Sequence, residues 1–203
     1  SLSEIQAYTH TDGVTWLNIN GIHDIDLIKA LGDHFSISPM LLEDILNTDQ
    51  RPKFESFENH DAFILKMIHF DEALQKIVVE QVSLILGEHF VITLRERKGD
   101  VFAGVRERIR NKKGRVRLND NDYLLYALMD AIADNYSIAI EIVGRKIDDL
   151  ERKLFQYNEK GLAEEIYTLK TELNYLRKSV RPVKDVVNIY LKAESPFFQE
   201  KNL

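Results

Sequence analysis

Val78-Val79-Glu80-Gln81-Val82-Ser83-Leu84-Ile85-Leu86-Gly87-Glu88-His89-Phe90-Val91-Ile92-Thr93-Leu94 reads as two β-rich runs meeting at a turn. Val78 to Leu86 and Phe90 to Leu94 are the strands, and Gly87-Glu88 lies between them, so the stretch predicts a hairpin. The sequence on its N-terminal side belongs to the same sheet. Trp16-Leu17-Asn18-Ile19 alternates apolar with polar residues as a half-buried strand does, Asn20-Gly21 supplies a turn, and Phe63-Ile64-Leu65-Lys66-Met67-Ile68 reads as a further strand. Between them lie two helices. Asp24 to Phe35 places Ile25, Ile28 and Leu31 at spacings of three, and Ser38-Pro39 has the form of an N-cap with proline at the first helical position, opening a helix through Met40 to Leu46. The predicted class is therefore α/β (α+β), a mixed sheet flanked by helices.

Beyond a basic helix near Val101 to Lys113 and a loop at Gly114 to Asn119, the pattern becomes entirely helical. One run goes from Asp122 to about Tyr157 with Met129, Ile132, Tyr136, Ala139, Val143, Ile147, Leu150 and Leu154 on one face. In a second, Leu162, Ile166, Leu169, Leu173, Leu176, Val180, Val183 and Val187 step by four and three, which is a heptad seam. Asn158-Glu159-Lys160-Gly161 is short enough to make the two helices antiparallel neighbours. Pro182 lies inside the second and is expected to kink it, because it lacks a backbone donor and crowds the preceding turn. Two domains follow: residues 1–118, an α/β unit, and residues 119–203, long antiparallel helices forming a stalk. The seam needs cover. Either partner chains supply it, or the hairpin folds back on the α/β part.

The chain's 203 residues suffice for a substantial core, and with no cysteine neither disulfides nor thiolate metal ligation is available. No stretch approaches the roughly 18 apolar residues of a membrane helix; Tyr123 to Met129 ends at Asp130, so the chain as given is expected to be soluble. Ser1-Leu2-Ser3-Glu4 has no signal-like character and reads as a trimmed or processed start. The net charge of −6 is uneven: Arg95 to Arg117 holds ten Lys/Arg against three Asp/Glu. Such a stripe can bind nucleic acid or an anionic surface. Val101, Val105 and Ile109 interleaved at helical spacing favour a solvated amphipathic helix instead.

Enzyme signatures are missing. There is no P-loop, no G-x-G-x-x-G, no nucleophile elbow, and the histidines at 10, 23, 34, 60, 69 and 89 show no H-x-x-x-H spacing, so no catalytic residue is assigned. Asp120-Asn121-Asp122 lacks the later ligands and glycine of a calcium loop and reads as a helix N-terminus. Carboxylates remain. Glu43 and Asp44 are consecutive on a helix, about 100° apart around its axis, so each needs partners from elsewhere to hold an ion. Asp130 and Asp134, four apart, share a face on which their charges repel unless a cation or basic group intervenes.

Pro39-Met40-Leu41-Leu42-Glu43-Asp44-Ile45-Leu46, followed by Gln50-Arg51-Pro52-Lys53-Phe54-Glu55, resembles the N-terminal signature of the CorA family. Glu80 to Leu86 with Val91 to Glu96 is similar to the family's E-Q-V-S hairpin, Val105 to Arg110 to its arginine-rich helix, and Asp122 to Asp130 with Asp134-Asn135-Tyr136 to the helix after it. The similarity runs in order from about Thr15 to about Leu191. It implies an α/β/α cytoplasmic domain with a helical extension, lying at the cytoplasmic face of the inner membrane, a pentameric funnel, and a continuation into membrane helices with a G-M-N motif at the pore mouth. On that reading the piece seen here senses cations and does not conduct them. The resemblance also implies Mg2+ or Co2+ as the ion. Asp44 matches the carboxylate that meets an acidic residue of a neighbouring subunit across a cation, with Glu43 and Asp130 as supplementary ligands and the partner carboxylate beyond Leu203. The alternatives are a zinc-transporting relative of the same superfamily, or a soluble coiled-coil or nucleic-acid-binding protein using Arg95 to Arg117.

Overall fold

The computed structural model describes residues 13–97, 99–112, 115, 120–156 and 161–197. The start at Ser1 to Glu4, most of the loop between Gly114 and Asn119, and residues 157–160 of the helix connection lie outside the described residues. So do Lys98, Lys113 and Arg117 of the basic stretch.

Five strands form one mixed sheet in the order β1-β5-β4-β3-β2. They are β1 (Thr15–Asn20), β2 (Lys53–Ser56), β3 (His60–Asp71), β4 (Lys76–Gly87) and β5 (Phe90–Arg95). The expected hairpin is β4–β5, antiparallel with Ile85 opposite Ile92. β1 runs parallel to β5, which is what makes the sheet mixed. The longest pairing joins β3 to β4, from His60 opposite Gly87 to Asp71 opposite Lys76. β2 is a short edge strand preceded by Pro52, a position where a missing backbone donor does no harm. At the end of β1, Gly21 has φ of 89°, and its amide donates to the Arg95 carbonyl at 2.8 Å.

The alternation of β3, β4 and β5 sends their side chains to two separate cores. Ala62, Ile64, Ile85, Ile92 and Leu94 meet α1 (Ile25–Phe35) and α2 (Pro39–Leu46) through Ile28, Leu31, Leu41 and Ile45. On the opposite face Phe63, Leu65, Met67, Leu84, Leu86 and Val91 meet α3 (Ala103–Arg110), α4 (Asn121–Gln156) and α5 (Leu162–Lys192). Both helices of the first face start as their sequences suggest. The Asp24 carboxylate caps α1 by accepting from the Leu27 amide at 3.0 Å, and Pro39 opens α2 behind Ser38, whose side chain makes no capping bond.

α4 and α5 are antiparallel: Lys146 pairs with Glu172, and farther along α4 Lys153 pairs with Glu165, earlier on α5. Together they form the helical stalk. The proximal half of α4 packs on the sheet through Leu128, Ile132, Tyr136, Ala139 and Val143, whereas Ile147, Leu154 and Phe155 at its far end are exposed. α5 behaves alike. Leu176 is buried, Leu169, Val180 and Val183 are packed against the core, and Ile166 and Leu173 are exposed. Toward the C-terminus the fully buried line shifts off the heptad onto Ser179, Pro182, Val186 and Tyr190, because there the helix lies on the sheet as well as on α4. α5 continues through Pro182 to Lys192.

Candidate cation site and the groups around it

Asp44 is on the second turn of α2, and its partners come from the connection into β2. Lys53 Nζ lies 2.6 Å from Oδ2, and Gln50 Nε2 donates to Oδ1 at 2.8 Å. Lys53 also reaches Glu55 Oε1 at 2.9 Å. Burial opposes the charge of Lys53, but its bonds to Asp44 and Glu55 outweigh that and raise its pKa above the ordinary lysine value. From the sheet, Gln81 Nε2 donates to the backbone carbonyls of Asp44 and Ile45 at 3.3 and 3.2 Å. Asp44 is thus a carboxylate with 18% of its side chain exposed, fixed from two sides and neutralised by one ammonium. Glu43, its neighbour in sequence, points to solvent.

Asp130 is elsewhere. It is half-buried on α4 and lines an apolar cavity of about 400 Å3 between α4, α5 and the sheet. Since α2 covers one face of the sheet and α4 the other, the sheet separates Asp44 from Asp130 within a single chain. Neither Asp130 nor Asp134 forms an ion pair among the described residues, and no group of three or more His, Asp or Glu side chains there is arranged to hold a metal. Gln50, Lys53 and Gln81 are the surroundings that motif reading passes over. They fall six and nine positions after Asp44 and in the E-Q-V-S strand, so only the fold brings them together.

Part of the basic stretch is structural. Arg95 is fully buried and faces Asp100 at 3.1 Å, and Arg106 makes a two-pronged contact with the same carboxylate. Arg95 also donates to Asn20 Oδ1 and the Gly99 carbonyl. Burial alone would raise the Asp100 pKa. The bonds from Arg106 and the Phe102 amide, the charge of Arg95 and a bond from Asn18 prevail, and hold it at about 2. Asp120-Asn121-Asp122 is indeed a helix start, where Asn121 Nδ2 donates to the Gly87 and Glu88 carbonyls and ties α4 to the β4–β5 turn.

Residues 11–203 match the model of the CorA-like Mg2+ transporter protein family. The chain belongs to that family. It is 41% identical over 189 residues to the cobalt/magnesium transport protein CorA of Thermotoga maritima, an alignment covering 93% of this chain and 54% of the relative. A putative metal ion transporter of Bacillus subtilis, YfjQ, is 24% identical over 172 residues, with 52% of its length covered, so the chain spans about half of these curated CorA relatives. The soluble domain of CorA from Methanocaldococcus jannaschii has the same fold, with a TM-score of 0.78 at 20% identity, covering 95% of this chain and 78% of that one. No helix among the described residues is long and apolar enough to cross a membrane.

Proposed function

We propose that this chain is the cation-sensing cytoplasmic domain of a magnesium or cobalt transporter, and that Asp44 is the carboxylate through which it senses. The observation that carries the reading is the pairing of Asp44 with Lys53: a partly exposed carboxylate, held in place, whose positive partner a divalent cation can replace. Glu43 is adjacent and free to contribute. Asp130, across the sheet in its own chain, joins the site only from a neighbouring subunit, which fits a ring of subunits and, by family resemblance, a pentamer. By family resemblance, the partner carboxylate and the membrane helices lie in the part of the relatives that this chain does not span. Mg2+ keeps most of its waters and asks for one or two carboxylates, so a site shared between subunits serves it without a closed cage. Cation binding neutralises facing carboxylates and draws subunits together, while cation loss lets Lys53 return and the ring loosen.

The chemistry makes two substitutions act in opposite directions. Asp44→Asn removes the anionic oxygen and reduces Mg2+ or Co2+ binding at least tenfold in titration calorimetry. Lys53→Met removes the competing ammonium and strengthens binding several-fold. Unchanged cation affinity in Asp44→Asn would refute the assignment.

A further inference from the structure

A cleft of about 660 Å3 lies between the α2–β2 connection, the middle of β3 and β4, and the middle of α5. Arg51 enters it from the connection, Lys66 from β3, and Arg177, Lys178 and Arg181 from α5. None of these five cations forms an ion pair among the described residues, although the chain as a whole carries a net charge of −6. Arg177 and Arg181 are four apart on one helix face, a spacing at which like charges destabilise a helix unless something between them compensates. Lys66 is half-buried; its ammonium donates to the Thr48 carbonyl at 2.7 Å and to Gln81 Oε1 at 3.5 Å, and burial lowers its pKa against the opposing charges of Glu96 and Asp49.

Three carboxylates, Asp49, Glu80 and Glu96, also line the cleft. Glu96 Oε1 accepts from the Gln81 amide at 2.7 Å, and Asp49 is exposed at the mouth. Glu80 is 2% exposed, with Oε1 lacking a hydrogen-bond partner among the described residues, while Oε2 accepts from the Arg97 amide at 3.2 Å. Burial raises its pKa, against the bond from the Arg97 amide and the charges of Arg95 and Arg97. Cations on two facing walls, three of them arginines whose planar forks grip phosphate oxygens bidentately, suit a compact ligand with several phosphate groups. The cleft's volume is that of a small-molecule site, and its concavity does not fit a duplex.

We propose that this cleft is a binding site for a small phosphorylated anion carrying two or more phosphate groups, whether a nucleotide, an inorganic polyphosphate or a lipid headgroup. The site does not depend on the cation reading, although Gln50 and Gln81, which hold Asp44 and its helix, are part of its wall.

The test is calorimetric titration of the chain with tripolyphosphate and with ATP, in magnesium-free buffer at near-physiological salt, alongside sedimentation with phosphatidylglycerol-containing vesicles. Saturable binding is expected from at least one probe, and which one identifies the source. The double variant Arg177→Ala/Arg181→Ala should bind at least tenfold more weakly. Lys29→Ala/Lys170→Ala, which removes equal charge from exposed positions outside the cleft, should stay within about twofold of the parent. All four positions are exposed on helices, and circular dichroism verifies that each variant is folded. No saturable binding to any probe, or equal loss in the two double variants, would overturn the proposal.

Discussion

Asp100 is a residue on which stability at neutral pH turns. It neutralises Arg95, which has no exposed surface, and it orders the start of α3 through its bond to the Phe102 amide. Asp100→Asn leaves a buried guanidinium without its counter-charge, and a cost of about 3–5 kcal/mol is expected in urea unfolding at pH 7. The pH dependence has a definite sign. The folded pKa of about 2 lies below the unfolded value near 4, so this contribution is present above about pH 4 and is lost as pH falls toward 2. Unfolding profiles of the parent should slope across that window, and those of the variant should be flatter there. His60 adds a separate term at higher pH. It is 1% exposed, stacked on Phe57, and neither ring nitrogen has a hydrogen-bond partner among the described residues. Burial lowers its pKa, with the charge of Asp61 opposing. Stability from the neutral ring is therefore full above the unfolded value near 6.5 and declines as pH falls through the folded value. His60→Phe should shrink the loss of stability between pH 6.5 and 5 in the same assay.

At the scale of elements, much of the fold was legible because the local signals were strong. Ser38-Pro39 marks the start of α2, the Val78 to Leu94 runs mark the β4–β5 hairpin, and apolar spacing marks α4 and α5. What was not legible depends on long-range pairing. β2 is only Lys53–Ser56, with a proline before it, and takes strand form from its neighbour. Arg95 reads in sequence as one more charge in a basic stretch, yet its place at the end of β5 buries it against Asp100 and beside Asn20, 75 residues away in sequence. The candidate site is legible in the same uneven way: Asp44 stands out from its motif, whereas Lys53, Gln50 and Gln81 reach it through the folding of the α2–β2 connection onto the sheet. The heptad of α5 gives a graded prediction. Leu176→Ala, at 5% exposure, should cost about 2–4 kcal/mol, and Leu173→Ala, at 42%, under about 1 kcal/mol, measured by denaturant unfolding. Equal costs would mean that Leu173 is covered in solution by another chain.

For the whole molecule, the far ends of α4 and α5 leave Ile147, Leu154, Phe155, Ile166 and Tyr167 exposed, while the sheet and its two cores are complete within one chain. Folding of this portion therefore does not require subunit contacts. The isolated chain is expected to associate weakly, sedimenting as a monomer at micromolar concentration; a tight pentamer at nanomolar concentration would contradict this. On the proposed reading, the sheet that separates Asp44 from Asp130 within one chain would make cation response in the full-length transporter a property of an assembled ring. Asp44→Ala in that protein, assayed by protease protection of the cytoplasmic domain across a magnesium titration, tests this most directly. The account predicts that the protection midpoint moves to higher magnesium by several-fold or more; a midpoint equal to the parent's would remove Asp44 from the sensing site.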